Sequence, residues 1–299
     1  MKVFVTGASG GIGSLLVPEL LAAGHDVLGL ARSDASARIV RAAGGSVLSG
    51  EMTDPDVLRT GAAAADAVIH VAFNHGPDLA RSVDDEARAV ETFGTALKGS
   101  GKALVIASGT PIVPGRLATE QDSPVADDPM AATPLGRRGR TARYVLDLAD
   151  QGVRSVVVRL PRSVHSRGRK YGLAGALIAA ARRTGVSGYV GDGSQRWPAV
   201  HHLDAVRLFR LALEQAEPGT SVHAVADEGD PMRTLAETIG GVLGLPAEPV
   251  PAGHFGPAGA VFALDQPASS ELTREKFGWQ PTHPSLIEDL AAGDYPPSN

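Results

Sequence analysis

Three glycines near the start of the chain have the spacing of a loop that binds phosphate groups. Gly7, Gly10 and Gly13 follow a short apolar run and open a helical pattern. Glycine permits the tight turns of such a loop and lets the backbone approach a pyrophosphate, whose charge the N–H groups of the helix N-terminus can hold. The segment predicts a dinucleotide site made of Thr6, Gly7, Ser9, Gly10, Gly11, Ile12 and Gly13.

Strands and helices alternate through the first half of the chain, which would place this loop at one edge of a sheet. Short apolar runs predict strands at 3–5, 26–30, 46–48, 67–71, 103–107 and 155–159. Helical patterns lie between them at 12–23, 34–43, from 54, at 78–98 and at 138–151. The sequence therefore predicts an α/β fold, a Rossmann-type doubly wound parallel sheet with helices on both faces.

The second half is less regular and predicts a smaller lobe. A Gly- and Arg-rich loop at 162–172 precedes helices at 173–184, 202–215 and 234–243, with a strand at 222–225. The Pro- and Gly-rich stretch 245–259 is predicted to be a linker or surface loop. We expect an NAD(P)-binding Rossmann domain over 1–160 and a substrate-binding lobe over 161–299 that is interleaved with the core.

Five short segments occur in an order that resembles one protein family. They are TGASGGIG at 6–13, HVA at 70–72, ASGT at 107–110, RLP at 159–161 with VH at 164–165, and VHHLD at 200–204. Together they resemble the extended or atypical short-chain dehydrogenases/reductases, which are NAD-dependent epimerase/dehydratase-like proteins. The resemblance implies that Glu51 and Met52 lie beside the adenine. It also implies that Ala72 and Phe73 line the path to the nicotinamide, with Ser108 near the cofactor.

The end of the second predicted strand indicates which dinucleotide is bound. Sites that prefer NAD usually carry an acidic residue there to bind the ribose 2′-hydroxyl. This chain has Arg32 and Ser33 instead, which suit a 2′-phosphate and predict NADP(H). Asp34 follows closely, so NAD stays open, and Arg32 as a solvated residue at a helix start is the alternative.

The catalytic pair typical of the resembled family is missing. Its carbonyl reductases use a tyrosine and, four residues later, a lysine that lowers the tyrosine pKa. Segment 134–142 contains neither residue, and Leu148 occupies the lysine position relative to Tyr144. The hydroxyls of Ser108 and Thr110 remain. The proton donor would then come from elsewhere. The candidates are His165 and Tyr171, and the alternative for each is a surface or packing residue.

Three further residues are candidates for substrate binding. Arg138 could clamp an anionic substrate or stabilise an oxyanion, or simply be a solvated residue at a helix start. The resemblance places Trp197 and His201 beside the substrate crevice, with Trp197 as a pocket wall. His201 and His202 are adjacent, unlike the i, i+4 pair of a helical zinc site, so no metal is expected.

Composition limits the partners. The formal net charge is −5 and the basic residues are scattered, so nucleic acid is not an expected partner. Cysteine is absent, and no apolar run reaches the ~20 residues of a membrane span. No secretory leader is recognised, which predicts a cytoplasmic protein without membrane association. A small-molecule substrate and a monomer or homodimer are expected.

These features favour an NADP(H)-dependent oxidoreductase that interconverts a small-molecule carbonyl and alcohol with an atypical proton donor. An epimerase or dehydratase with tightly bound NAD(P) is one alternative. A non-catalytic protein that senses the dinucleotide and regulates a partner is another, favoured by the missing tyrosine and lysine.

Overall fold

The computed structural model describes residues 1–74, 78–123, 133–169 and 172–295. Its strands are β1 Lys2–Thr6, β2 Asp26–Ala31, β3 Ser46–Ser49, β4 Ala67–His70, β5 Ala103–Gly109, β6 Arg154–Leu160, β7 Ser163–His165, β8 Ser187–Val190, β9 Arg196–His201, β10 Thr220–His223, β11 Asp227–Pro231 and β12 Ala247–Val250. Its α-helices are α1 Gly13–Ala22, α2 Asp34–Ala42, α3 Pro55–Ala63, α4 Leu79–Leu97, α5 Pro134–Asp147, α6 Ala174–Thr184, α7 His202–Gln215, α8 Met232–Leu243, α9 Glu271–Phe277 and α10 Leu286–Ala292. Residues Leu148–Gln151 and Ala252–Ala263 form 3₁₀-helices.

The large sheet has the strand order β10-β6-β5-β4-β1-β2-β3. β1 pairs in parallel with β2 on one side and β4 on the other, and Thr6 lies opposite His70. The chain thus runs outward from β1 to β3 and returns beside β1 as β4. Dinucleotides bind at the carboxyl edge of a sheet at such a reversal. The predicted Rossmann-type doubly wound fold is confirmed.

Local signals in the sequence explain where the helices begin. The Asp54 carboxylate accepts from the backbone N–H groups of Asp56 and Val57, and Pro55 occupies the first turn of α3. Ser33 and Asp78 cap α2 and α4 in the same way. The core of this part is apolar and buried, and its largest members are Phe4, Phe93, Leu58, Leu97 and Leu104.

Smaller sheets form the remaining part. β9 pairs in parallel with β7 and antiparallel with β11, and β8 pairs in parallel with β12. Their core contains Trp197, Phe262, Ile239, Leu286 and Leu290, all buried.

Two loop predictions were wrong. Segment 162–172 contains β7, and segment 245–259 contains β12 and most of the second 3₁₀-helix. β7 has only three residues, too few to show a period. β12 contains Pro249, which an edge strand tolerates. Because proline is typical of turns, the sequence predicted a loop there. β8, β9 and β11 were not predicted, and the strand predicted at 222–225 lies at Thr220–His223.

Contacts divide the chain into two compact units. One contains Met1–Gly109, Gln121–Arg159 and Val206–Val222, and the other contains Thr110–Glu120, Leu160–Ala205 and His223–Asn299. Contact units are not independently folding domains, so the domain limits at 160 and 161 stay a prediction. Within the described residues no helix is long and apolar enough to cross a membrane.

Candidate functional site

The glycine-rich loop joins β1 to α1, and its backbone leaves no room for a side chain at two of its glycines. Gly7 has φ = +70°, and a Cβ there would lie 2.7 Å from the backbone nitrogen of Ala72. A Cβ at Gly13 would lie 2.0 Å from the carbonyl oxygen of Gly7. The Gly10 N–H donates to that same oxygen at 2.9 Å. The geometry of the turn therefore requires glycine at these positions.

The helix that follows the loop begins without a capping side chain. Ile12 is its N-cap residue, and its first turn contains no acidic residue. α1 has ten residues, so its aligned peptide dipoles and the N–H groups of its first turn favour an anion at this end. The buried Thr6 and the half-buried Ser9 lie in the same loop. Loop and helix can hold a pyrophosphate where the sequence predicted it.

An exposed arginine follows β2, and the segment between β2 and α2 contains no acidic residue. β2 ends at Ala31, and the side chains of Arg32 and Ser33 are exposed. The Ser33 Oγ accepts from the N–H of Ser36 at 3.2 Å, which anchors it as the cap of α2. Arg32 forms no ion pair with any described residue. Its guanidinium is therefore accessible to a phosphate.

The two residues assigned to the adenine follow β3. The side chain of Glu51 is exposed and that of Met52 is half-buried. Met52 lines a cavity of about 390 Å³ together with Leu58 of α3 and Thr92 of α4. Whether either residue contacts an adenine stays a prediction.

Thr6 and His70 meet at the carboxyl ends of β1 and β4. The Thr6 Oγ1 lies 2.7 Å from the His70 Nδ1, within hydrogen-bond distance. Burial, assisted by the positive charge of Arg138, lowers the pKa of His70 to about 4. Its imidazole is therefore neutral near pH 7, and its Nε2 has no hydrogen-bond partner in the described part of the chain.

Arg138, in the second turn of α5, is held from two directions. Its Nε and Nη2 donate to the two carboxylate oxygens of Glu86 at 2.8 and 2.7 Å. Its guanidinium carbon lies 4.6 Å from the centre of the Phe73 ring. A bidentate ion pair and a stacked ring fix the orientation of a guanidinium. The Glu86 side chain is 5% exposed, whereas that of Arg138 is 23% exposed.

The tyrosine nearest to the segment of the missing tyrosine–lysine pair, and the residue four positions after it, are packing residues. Tyr144 lies between α4 and α5, since a Cβ on Gly94 would come within 2.4 Å of its hydroxyl. Burial, assisted by the charge of Glu91, raises the pKa of Tyr144. Leu148 is buried in the apolar core. Tyr144 is therefore a weaker acid than a free tyrosine, and no lysine lies four residues later to lower its pKa.

The hydroxyls that the sequence selected lie at or just after β5. Ser108 is the penultimate residue of that strand, 6% exposed, and belongs to the first contact unit. Thr110 belongs to the second unit, where its N–H donates to the carbonyl of Leu160. Their catalytic roles stay predictions.

Of the two predicted proton donors, only His165 can be placed. Its side chain is fully buried, and its Nδ1 lies 2.7 Å from a carboxylate oxygen of Asp289. Burial lowers the pKa of His165 although the Asp289 hydrogen bond opposes the shift. Because the imidazole of His165 is enclosed, it does not reach the surface where a ligand could meet it. Its role as proton donor stays a prediction. Tyr171 lies outside the described residues.

The predicted substrate residues of the second unit lie in its interior. Trp197 is fully buried, stacks on Phe262 at 5.1 Å and donates its Nε1–H to the carbonyl of Leu264 at 3.1 Å. It therefore packs inside this unit instead of forming an open wall of it. His201 is 8% exposed and stacks on His283 at 4.7 Å. Contact of either residue with a substrate stays a prediction.

His201, Asp204 and His283 could place one atom each around a metal ion, since these atoms lie within 4.8 Å of one another. Their present interactions are structural. The Asp204 carboxylate accepts from the N–H groups of Thr282 and His283 and bonds the His283 Nδ1 at 2.9 Å. The His201 and His283 rings are nearly parallel, 10° apart, so their lone pairs do not converge. That the chain needs no metal stays a prediction.

Sequence reasoning missed Glu86, and the signal was present. Val83, Glu86, Val90 and Phe93 share the buried face of α4 at helical spacing. An acidic residue within such an apolar stripe requires a buried partner. Without Glu86, Arg138 was predicted as a substrate residue that nothing held in place.

The chain is similar over most of its length to one protein family and to a protein of Schizosaccharomyces pombe. A model of the NAD dependent epimerase/dehydratase family matches residues 3–225. An uncharacterized protein of Schizosaccharomyces pombe is 41% identical over 302 residues, which cover 99% of this chain and 100% of that protein.

More distant matches include one reductase and one epimerase. The 4-hydroxy-2-methyl-3-oxo-4-farnesyl-3,4-dihydroquinoline-1-oxide ketoreductase of Stigmatella aurantiaca is 28% identical over 240 residues, which cover 76% of this chain and 68% of that enzyme. The structure of the UDP-glucose 4-epimerase of Thermotoga maritima, with UDP-glucose, superposes with a TM-score of 0.75 at 19% identity, covering 97% of this chain and 96% of that one. The second match shows a shared fold.

Proposed function

This chain belongs to the NAD dependent epimerase/dehydratase family, and we propose that it is an NADP(H)-dependent oxidoreductase that interconverts a small-molecule carbonyl and alcohol. The observation that carries the proposal is the loop between β1 and α1, in which a Cβ at Gly13 would lie 2.0 Å from the Gly7 carbonyl. This close turn leads into an uncapped helix start, where the backbone N–H groups can bind a diphosphate. The ketone-reducing relative from Stigmatella supports the reaction class.

We propose the remaining contacts from the positions of their residues. Arg32 and Ser33 would bind the 2′-phosphate, and Glu51 and Met52 would border the adenine. Ala72 and Phe73 follow β4, and Ala72 lies next to the glycine-rich loop, as a nicotinamide ribose would require. Calorimetry with NADPH, NADH and a panel of ketones tests the proposal. If neither NADPH nor NADH binds, the proposed function is contradicted.

Replacing Arg32 should change the choice of cofactor. In Arg32→Gln we expect the affinity for NADPH to fall about tenfold, because one charge-assisted contact to the 2′-phosphate is lost. The affinity for NADH should stay within about twofold. Calorimetric titration measures both. Arg41→Gln, an exposed arginine at the far end of α2, is the matched control. Equal losses for NADPH and NADH would contradict the role of Arg32.

Replacing Ser108 tests the surviving hydroxyl. We expect Ser108→Ala to lower kcat about tenfold with the NADPH Kd unchanged, because a donor near the reacting carbonyl is removed. The assay is NADPH oxidation followed by absorbance. Ser100→Ala changes a serine whose hydroxyl donates to the Leu97 carbonyl at the end of α4 and accepts from the Lys102 N–H, and it should keep full activity. An unchanged kcat in Ser108→Ala would remove the serine from the mechanism.

A non-catalytic dinucleotide sensor is the second candidate function. The missing tyrosine–lysine pair favours it, since the nearby Tyr144 packs against α4 and Leu148, four residues later, is buried in the apolar core. A sensor would bind NADPH and NADP⁺ with different effects on a partner and would turn over no substrate. An epimerase or dehydratase would convert its substrate without net consumption of cofactor.

A further inference from the structure

The surroundings of Arg138 indicate what replaces the missing tyrosine–lysine pair. We propose that Arg138 donates an Nη1–H to the carbonyl oxygen of a neutral substrate, and that Glu86 is the positioning residue that holds its guanidinium. The inference rests on the proposed oxidoreductase function. It adds the group that binds the reacting oxygen and the charge class of the substrate.

Arg138 lies at the edge of the sheet where the nicotinamide is proposed. Its guanidinium covers the ring of Phe73, which directly follows Ala72. The backbone of Ala72 in turn is so close to Gly7 that a Cβ there would lie 2.7 Å from it. The glycine-rich loop, the segment after β4 and the guanidinium are thus in successive contact.

The guanidinium of Arg138 is held in one orientation and keeps a hydrogen-bond donor that its described neighbours do not use. Nε and Nη2 are bonded to Glu86, and one face of the group lies over Phe73. Nη1 has no hydrogen-bond partner among the described residues, and the side chain is 23% exposed. A donor held in place before the reaction stabilises developing negative charge without a cost of reorganisation. The free edge of the guanidinium has this property.

The buried carboxylate of Glu86 determines the charge that the site accepts. At 5% exposure and 2.7 Å from the guanidinium, it compensates the positive charge of Arg138. The electrostatic attraction between an anionic substrate and this neutral pair is therefore weak, and the negatively charged Glu86 carboxylate repels the anion. A neutral carbonyl still gains a hydrogen-bond donor, and the negative charge that forms on its oxygen lies next to the cation. A neutral substrate follows.

The chemical step balances without a tyrosine. The hydride of NADPH forms a new C–H bond to the carbonyl carbon, and the π electrons of the C=O bond move to the oxygen, which Arg138 stabilises. Water then protonates that oxygen, giving the alcohol, hydroxide and NADP⁺. Arginine keeps its proton throughout. Between pH 7 and pH 9, kcat should therefore show no ionisation of a protein acid.

Kinetics with small probes test the reaction. With methyl pyruvate as the neutral probe and pyruvate as the anionic one, we expect kcat/KM to be at least about tenfold higher for the neutral probe. Arg138→Gln should lower kcat about a hundredfold and Glu86→Gln about tenfold, each with the NADPH Kd unchanged. Asp84→Asn also breaks an ion pair between α4 and α5, that with Arg137, and should keep full activity. A preference for pyruvate, or equal losses in Glu86→Gln and Asp84→Asn, would overturn the inference.

A binding measurement keeps the inference testable if neither probe is reduced. Isobutyramide is a neutral amide whose carbonyl NADPH does not reduce, and calorimetry can follow its binding to the complex with NADPH. We expect binding to wild type and to Asp84→Asn, and at least about tenfold weaker binding to Arg138→Gln. Failure of the proposed function would appear as absent NADPH binding. With NADPH bound, isobutyramide that binds Arg138→Gln as well as wild type, or binds neither, would refute the role of Arg138.

Discussion

Gly13→Ala should weaken NADPH binding by at least about a hundredfold, which is about 3 kcal/mol of binding free energy. The added Cβ would lie 2.0 Å from the Gly7 carbonyl oxygen and 2.7 Å from the Cα of Ala8, so the loop must move away from the start of α1. The contacts are with backbone atoms, which no side-chain rotation can relieve. Calorimetric titration of the purified variant with NADPH measures the effect.

A second glycine separates loss of the site from a general effect of substitution. A Cβ on Gly241 meets no atom within 4 Å, and Gly241 lies within α8. Gly241→Ala should bind NADPH normally and be slightly more stable, since alanine favours a helix. If Gly13→Ala binds NADPH within about threefold of wild type while Gly241→Ala behaves as expected, the loop is not the diphosphate site.

Acidification should destabilise the protein strongly between pH 6.5 and pH 4. Burial, with repulsion from neighbouring positive groups, lowers the pKa values of His70, His201 and His202 to about 4 each. An unfolded chain takes up protons at these histidines near pH 6.5, whereas the folded chain does not. The contribution of these neutral histidines to the free energy of unfolding is therefore fully present above pH 6.5, and it is lost as the pH decreases toward 4. At pH 5 each histidine costs about 2 kcal/mol.

Urea unfolding at pH 8 and at pH 5 tests this expectation. The loss from three histidines is comparable to the whole stability of many domains, about 5–15 kcal/mol. His202→Gln should reduce the difference between the two pH values by about 2 kcal/mol, whatever it does to stability at pH 8. If the free energy of unfolding of wild type at pH 5 lies within about 1 kcal/mol of that at pH 8, these imidazoles are not neutral in the folded protein.

The fold could be predicted where its determinants are local in the sequence. The buried run of β1, the cap and proline at the start of α3 and the glycines before α1 each act within a few residues. The predicted helix at 202–215 matches α7 in full. The second half was harder because its strands are short and mixed in polarity. β11, with sequence DEGDP, has neither alternation nor typical strand residues and exists through pairing with β9.

Within the candidate site, local sequence patterns predict the glycine-rich loop but not the anchoring of Arg138. Phosphate binding depends on backbone shape, which glycine spacing reveals. The anchoring of Arg138 depends on a partner 52 positions away on another helix, and no local pattern connects the two. Trp197 shows the same dependence on distant residues, because Phe262 and the Leu264 carbonyl enclose its ring; its contact with a substrate stays a prediction.

The Asp204 carboxylate also bears on how the second unit forms. It collects three bonds from Thr282 and His283, which lie 78 and 79 residues later in the chain. Closing so long a loop is slow, and until it closes this buried acidic group has no partner. During synthesis, the first turn of α7, which contains Asp204, must therefore wait for residues near 283 to emerge before it can take its final form.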